Sequence, residues 1–391
     1  MKHKRLKKNK PPKRCPRCCS RVWKSGKQAS GFNHVFSSHQ ISLQAWSCSS
    51  ISCNWRIAPT VKGLLSGKVH TDLLQLQVEL GGAHSYREAE QGLETLLGEK
   101  RPCLNRMRIH RTTNQAGKIL EQSKNESALE GGTPADALCV AVDGGYVHDA
   151  EHPKHNFEVM LGKVYRPEHV IRVDKHHTKI TEKQCASSSK DDAQETMKRN
   201  LIISSKKAGL DKGRTKITAL ADGAKNCWNV IEALIPLCLS IVFILDWFHI
   251  GKYIHNIKRS IPVFEETFQS VRSSLWHGQV SIALLLLKNL LGVATDTEHI
   301  RLINNFHTYI KENEKRIVNY AERKKTGLVY SSHVAESTVE HLLNKRARKK
   351  QKMQWSRQGL HAVMEIRCSQ VSGNWKRDWE EVIEPQFKAG A

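Results

Sequence analysis

Seven side chains in this sequence have the chemistry and spacing to hold metal ions. Asp143 closes a short apolar run, Ala137 to Val142, and is followed by Gly144-Gly145. Asp222 closes a second run, Ile217 to Ala221, and is followed by Gly223-Ala224. Glu336 lies far downstream, at the start of a predicted helix that soon turns basic. Two carboxylates at strand ends and a third carried in by a helix could hold two divalent ions about 3.5–4 Å apart, a pair suited to phosphoryl transfer. The other four are thiols. Cys15-Pro16-Arg17-Cys18 forms a tight knuckle, and Cys48 and Cys53 follow after an intervening segment with Trp23, Phe36 and Trp46. Four soft ligands in this order predict a zinc-ribbon-like module, although the second pair is wider than usual and Cys19 could replace a neighbour. So small a module would need its ion to fold.

The elements that must position these groups can be read in outline. Of 391 residues, 62 are Lys or Arg against 38 Asp or Glu, for a formal net charge of +24. The positive charge comes in runs, at Lys2–Lys13, Lys206–Arg214 and Arg346–Lys352, which points to a polyanion partner. The basic N-terminus lacks the apolar core of a signal peptide, and the most apolar stretch, Val230 to Phe248, is broken by Glu232, Pro236 and Asp246. The 11 cysteines have no disulfide-framework spacing, which suggests a reducing compartment.

Six segments are expected. Residues 1–13 form a basic disordered arm, and 14–58 the zinc-ribbon-like module. Residues 60–128 read as helices, with a capping box at Ser85 and Glu88 and a stop at Gly98. Three short helices, the last one basic, fit a helix-turn-helix reader of DNA, or equally a helical linker with a solvated face. Residues 136–249 read as strands at 137–142, 157–164, one beginning at His169, then a helix at 191–205, a strand at 217–221, a helix at 227–234 and a strand at 240–245. That order predicts an α/β, ribonuclease-H-like catalytic core. Residues 250–330 are expected to be an all-helical insertion, and 331–391 a return to the catalytic domain with the glutamate helix and a basic segment.

In that order these blocks resemble the DDE transposases of bacterial insertion sequences, most closely the ISKra4-like group, and more distantly the Mutator-type enzymes. The resemblance rests on Val142-Asp143-Gly144, on Ala221-Asp222-Gly223-Ala224-Lys225 with Trp228, and on Asp246-Trp247-Phe248-His249. It continues through Val334-Ala335-Glu336-Ser337, Arg346, Arg348, Met353-Gln354-Trp355-Ser356 and Ser372-Gly373-Asn374-Trp375. It implies catalysis by Asp143, Asp222 and Glu336 on two Mg²⁺, with Mn²⁺ as a substitute. The expected reaction is cleavage at transposon ends and strand transfer of the 3′-hydroxyl into target DNA. Terminal inverted repeats and target DNA are the implied partners, with a homodimer or higher oligomer assembled on them and room for an RNA or protein guide. No membrane is involved, and the protein would work in the bacterial cytoplasm at the nucleoid.

Several residues carry competing readings. Asp143 and Asp222 could be simple Asp-Gly turn formers. Asp246 rivals Asp222, but it follows the fifth strand and not the fourth. With His249 one turn on, it is expected to support the site or merely to cap a helix. Glu340 shares a helix face with Glu336, and the resemblance favours Glu336, with Glu322 and Glu365 as remoter choices. Arg346, Arg348, Lys349 and Lys350 are expected to grip phosphates, or to form a solvated face. Trp276 and Trp355 are candidates for stacking on an unpaired base, or for the core. Two other functions fit the same residues: a nuclease or domesticated transposase that cleaves without joining, and a DNA-binding regulator.

Overall fold

The computed structural model describes residues 12–57, 68–98, 102–126, 131–172, 174, 178–332, 339–348 and 353–389. The chain divides into two compact units, residues 1–123 with 374–391, and residues 124–373.

The first unit begins with a long antiparallel hairpin, β1 (Val22–Asn33) and β2 (Ser38–Cys48), to which β3 (Arg56–Ile57) adds two residues. The pairing runs from Val22 opposite Cys48 to Asn33 opposite Ser38, with a bulge at Lys24–Gly26. Apart from the Cys15–Cys48 corner and Ala45, the hairpin buries little. Three helices follow: α1 (Thr71–Ala83), α2 (Tyr86–Leu97) and α3 (Arg106–Glu126). Ser85 and Glu88 make the reciprocal capping box expected of α2, and Gly98 ends that helix with φ 71°. Leu73, Val78, Leu93, Leu104 and Ile109 are fully enclosed and make the core of this bundle.

The second unit is built on a mixed sheet in the order β10 (Ser240–Leu245), β9 (Lys216–Ala221), β4 (Ala137–Asp149), β5 (Asn156–Tyr165), β8 (Gln184–Ser188). β4 is central. It pairs antiparallel with β5 and parallel with β9, and β9 pairs parallel with β10. Leu138 to Val142 are all buried, as a continuous apolar run must be when helices cover both faces. Among those helices, α4 (Glu195–Lys207) and α5 (Lys225–Glu232) connect the strands.

One expected strand is misplaced. β6 (Val170–Arg172) pairs only with β7 (Thr178–Ile180), in a separate two-stranded ribbon. The third position from the centre is taken instead by β8. That segment has no β-branched or aromatic residue and so carries no strand signal of its own. Its small side chains suit the close packing of α4 and of a later helix, Arg357–Val371, where Asn200 donates to the Ser187 carbonyl (2.9 Å).

After β10 the alternation stops. Five helices follow: α6 (Trp247–Ser260), α7 (Glu265–Trp276), α8 (Val280–Val293), α9 (Thr297–Glu312) and α10 (Tyr320–Lys325). Their inner faces, including Phe268, Leu287, Phe306 and Tyr320, join the same apolar core as the sheet. Tyr320 is enclosed completely and donates its hydroxyl to the Leu245 carbonyl (2.7 Å), which ties the helices to the end of β10.

Candidate active site and thiol cluster

The sheet register brings three aspartates together. Val142, Ala221 and Leu245 lie side by side across β4, β9 and β10. The next residue on each strand is Asp143, Asp222 and Asp246. β9 and β10 end at this level, whereas β4 does not end at Asp143 as expected but runs on to Asp149 because β5 pairs with it beyond that point, so the register makes neighbours of residues remote in sequence. His249 lies over the row: its Nε2 is 3.9 Å from an oxygen of Asp143 and 3.9 Å from one of Asp246.

The three carboxylates are held differently. Asp246 is 2% exposed and caps α6, accepting from Phe248 N (3.0 Å). It also accepts from Ser332 N (3.0 Å) and from the Ser332 hydroxyl, so both its oxygens are engaged. Asp143 and Asp222 are half-buried, each with one backbone donor: Gly144 N (2.8 Å) and Ala224 N (2.9 Å). Burial raises the Asp143 carboxyl above the ordinary range; His249 opposes this, and the Asp222 charge adds to it. Two partly exposed acids side by side, one of them costly to ionise, make a pocket suited to a hard cation.

The turn after Asp222 is tightly fitted. Gly223 has φ +103°, and a side chain there would run into Tyr309 and Asn313. The Tyr309 hydroxyl donates to the Asp222 carbonyl (2.8 Å), and Trp228 donates to Asn313 (3.1 Å). Helices α5 and α9 therefore lock the backbone of this acid.

A fourth acid escaped the sequence reading. Glu158 on β5 borders the cluster, with both oxygens 2.7 Å from Asn226 Nδ2; burial raises the Cys227 thiol, and the charges of Asp222, Asp143 and Glu158 add to it. The available signal was an acid inside an otherwise apolar strand, Phe157-Glu158-Val159-Met160.

Two cavities open beside the row. One of about 360 Å³ is lined by Asp222, His249, Lys252, Tyr253 and Tyr309. The other, about 880 Å³, is lined by Phe248, Lys252, His255, Lys258, Arg272 and Tyr330, among others. Lys252 belongs to both, so it shares the smaller cavity with Asp222 and the larger with Lys258 of α6 and Arg272 of α7.

In the first unit, one sulfur from each of Cys15, Cys18, Cys48 and Cys53 lies within 4.8 Å of the others. Cys15 and Cys53 are 3.8 Å apart, Cys18 and Cys48 3.4 Å. The wide second pair closes because Cys53 N bonds back to the Ser50 carbonyl (3.1 Å). Arg17 N and Ser50 N point at the Cys15 and Cys48 sulfurs (3.5 and 3.3 Å). Hydrogen bonds from Ser20 bring the Cys18 thiol down to about 6. At Cys48 the Ser50 amide favours the thiolate, but burial and the neighbouring thiols outweigh it and push the group up to about 12. Such a set ionises together only around a cation, and the four thiols could bind a metal such as zinc.

Residues 165–384, more than half of the chain, match the uncharacterised protein family UPF0236. The chain belongs to this family. No curated protein matches it. The UPF0236 segment contains Asp222, Asp246 and His249, and it begins after Asp143 and after the four cysteines.

Other residues singled out in the sequence also fall within the UPF0236 segment. Glu336, Lys349 and Lys350 lie outside the described residues, and of Arg348 and Glu340 only the backbone is described, in a π-helical segment, Val339–Arg348. Arg346 is 3% exposed and its guanidinium lies 4.8 Å over the ring of Trp355. Trp355 is nearly buried and donates to the Ala347 carbonyl (3.3 Å). Trp276 packs against Trp247 (4.8 Å) and Tyr330 (5.5 Å), while part of it lines a cavity with Arg272 and Lys324. Glu365 is buried away from the row, beside Lys124 and Asn200. No helix among the described residues is long and apolar enough to cross a membrane.

Proposed function

We propose that this protein is a DDE-type transposase of the insertion-sequence kind, a polynucleotidyl transferase that cuts at element ends and joins them to target DNA. One observation carries the reading. Asp143, within β4, and Asp222, just past the end of the adjacent parallel strand β9, stand in one register row, with an amide donor apiece and, among the described residues, no lysine or arginine bridging them. The strand order, with β4 central, β5 and β8 antiparallel on one side and β9 and β10 parallel on the other, is the one expected of a ribonuclease-H-like core. The helices from Trp247 to Lys325 stand where an insertion between the fifth strand and Glu336 is expected.

Asp143 and Asp222 offer oxygen ligands of the kind Mg²⁺ takes, and Glu336 is proposed as the third. A bound ion pair would activate a water and stabilise a leaving 3′-oxygen. The chain's own groups do the rest. His249 sits between Asp143 and Asp246 and, when protonated, holds charge balance at the row. Asp246 fixes Ser332 through its amide and its hydroxyl. Lys252, Lys258 and Arg272 line the adjoining cavity, where they could neutralise phosphates of the scissile strand. In the joining step the freed 3′-oxygen forms a bond to a target phosphorus, the bond to the target's own 3′-oxygen breaks, and that oxygen takes up the proton. The four cysteines would hold a structural zinc, and pairing of two ends implies a dimer or larger assembly on DNA.

The test is incubation of the full-length protein with Mg²⁺ and labelled element-end DNA plus a target plasmid. Strand-transfer product that disappears in Asp143→Asn and Asp222→Asn supports the reading. Nicked ends without joining would make the protein a nuclease, and neither product would leave a DNA-binding regulator.

A further inference from the structure

A second cluster of metal-ligating side chains lies at the far end of the hairpin from the thiols. His34 opens the turn between β1 and β2, where its N–H bonds to the Ser37 carbonyl (2.9 Å). His70 is the N-cap of α1, and Asp72 is in the first turn of that helix. The backbone brings them together: Asn33 N bonds to the Lys68 carbonyl and His70 N to the Asn33 carbonyl, both at 2.8 Å. One ligand atom from each of His34, His70 and Asp72 lies within 4.8 Å of the others. The His70 Nδ1 and Asp72 carboxylate are 3.4 Å apart, and the two imidazole centroids 4.5 Å. Ligands about 2.0–2.2 Å from a tetrahedral zinc stand about 3.4 Å from one another. The His70–Asp72 pair already has that spacing; His70 Nδ1 also accepts from Asp72 N (3.3 Å), a cap bond that an ion at this nitrogen would replace.

We propose that His34, His70 and Asp72 form a second site for a divalent transition-metal ion, of the zinc class. Two imidazoles and one carboxylate suit zinc, and three protein ligands leave one position to water. Its use would be mechanical. A two-stranded ribbon is marginal in water without a core, and this one buries little beyond its thiol end. From Val22 to Asn33 it extends roughly 35 Å at about 3.3 Å per residue. A thiolate-bound ion at one end cannot hold the other. An ion on His34, His70 and Asp72 pins the hairpin turn to the start of α1. Two features weaken it relative to the thiol site. Asp72 is exposed, with 60% of its side chain accessible. A cation at a helix N-terminus also opposes the helix dipole, offset here by the Asp72 charge. This site is independent of the reading of the acid row.

Titrating full-length protein with Zn²⁺ and Co²⁺ tests it. Two classes of site are expected in the first unit: a tight one showing intense sulfur-to-cobalt charge transfer, and a weaker one without it that a mild chelator strips first. His34→Gln and His70→Asn should each weaken the second class by about tenfold or more, at least the loss seen when the supports of metal ligands are removed. Asn at position 70 keeps a good helix cap, so a folding defect is not expected. The thiolate charge-transfer band should be unchanged in both variants, which reports that the hairpin is intact. Asp143→Asn should leave the weaker class in place, which separates it from ions taken up by the acid row. A weaker class that is missing in the parent protein, that persists unchanged in either histidine variant, or that vanishes in Asp143→Asn would overturn the proposal.

Discussion

The thiol cluster and the aspartate row gather ligands by opposite routes. Around the cysteines almost nothing else is buried, and each pair is local: Cys15 with Cys18, and Cys48 with Cys53 across one turn. There an ion would hold the structure together. The aspartates come from three strands separated by long stretches of chain, and a large apolar core sets their spacing before any ion arrives. There the fold itself places the acids. Removing a ligand should therefore unfold the first site and merely inactivate the second.

The largest effect should come at the aspartate row. Asp143→Ala or Asp222→Ala is expected to lower metal-dependent cleavage and joining by at least about 10³-fold, while element-end binding in a gel-shift assay stays within about twofold. Full cleavage by Asp222→Ala alongside loss in a folded Asp246→Asn would reassign the second acid.

Next, replacing Cys15 and Cys18 by Ser should release one zinc per chain and unfold the hairpin, since so small a module draws its folding energy from the ion. Elemental analysis and circular dichroism read this out. A folded hairpin in the zinc-free variant would erase the contrast between the two sites.

Asp246→Ala should be the variant that breaks the rule for its row. It removes a helix cap and leaves the Ser332 donors unanswered, at a cost of about 1–3 kcal/mol in chemical denaturation. Activity would then fall through misplacement of the Ser332 segment.

A smaller effect is expected in the salt dependence of DNA binding. Neutralising Lys252, Lys258 and Arg272 together should lower the log–log salt slope by about 0.9 for each phosphate that the protein no longer neutralises. An unchanged slope would remove the cavity of α6 and α7 from the DNA path. Arg346→Ala, in contrast, should act on stability, because that side chain is buried against Trp355.

The smallest effect separates the sites by pH. Burial raises the Asp143 carboxyl in the folded state. The folded protein then binds more protons than the unfolded chain just above the ordinary Asp range, so metal-free stability falls as pH rises through that window. Asp143→Asn should remove this dependence and raise the melting temperature of metal-free protein at neutral pH by roughly 1–3 °C. A lower melting temperature would show that the carboxylate stabilises the fold without metal.

Much of the site was legible because its signals are local. An apolar run closed by Asp marks a buried strand, and β9 and β10 lie where Ile217–Ala221 and Ser240–Leu245 indicated, whereas β4 starts where Ala137–Val142 indicated but runs on to Asp149, past the end expected at Asp143. The capping box at Ser85 and Glu88, like the Cys15 knuckle, needs only residues a few positions apart. Whether an acid is a ligand or a support was not legible. Asp222 and Asp246 follow similar strands, and burial, the cap on α6 and the arrival of Ser332 set Asp246 apart. Gln184–Ser188 became a sheet strand because α4 and Arg357–Val371 close over it, not through any propensity of its own. Arg346 was expected to grip phosphate or lie on a solvated face and is instead buried against Trp355, which takes the core place that was one of its two expectations. The sequence by itself determined most of the strands and helices, Gln184–Ser188 apart, and which residues could carry charge or bind a metal, because backbone propensity and side-chain chemistry act over a few residues. Register, burial and partnership were decided by the tertiary structure alone, because they depend on which distant segment supplies the neighbouring atom.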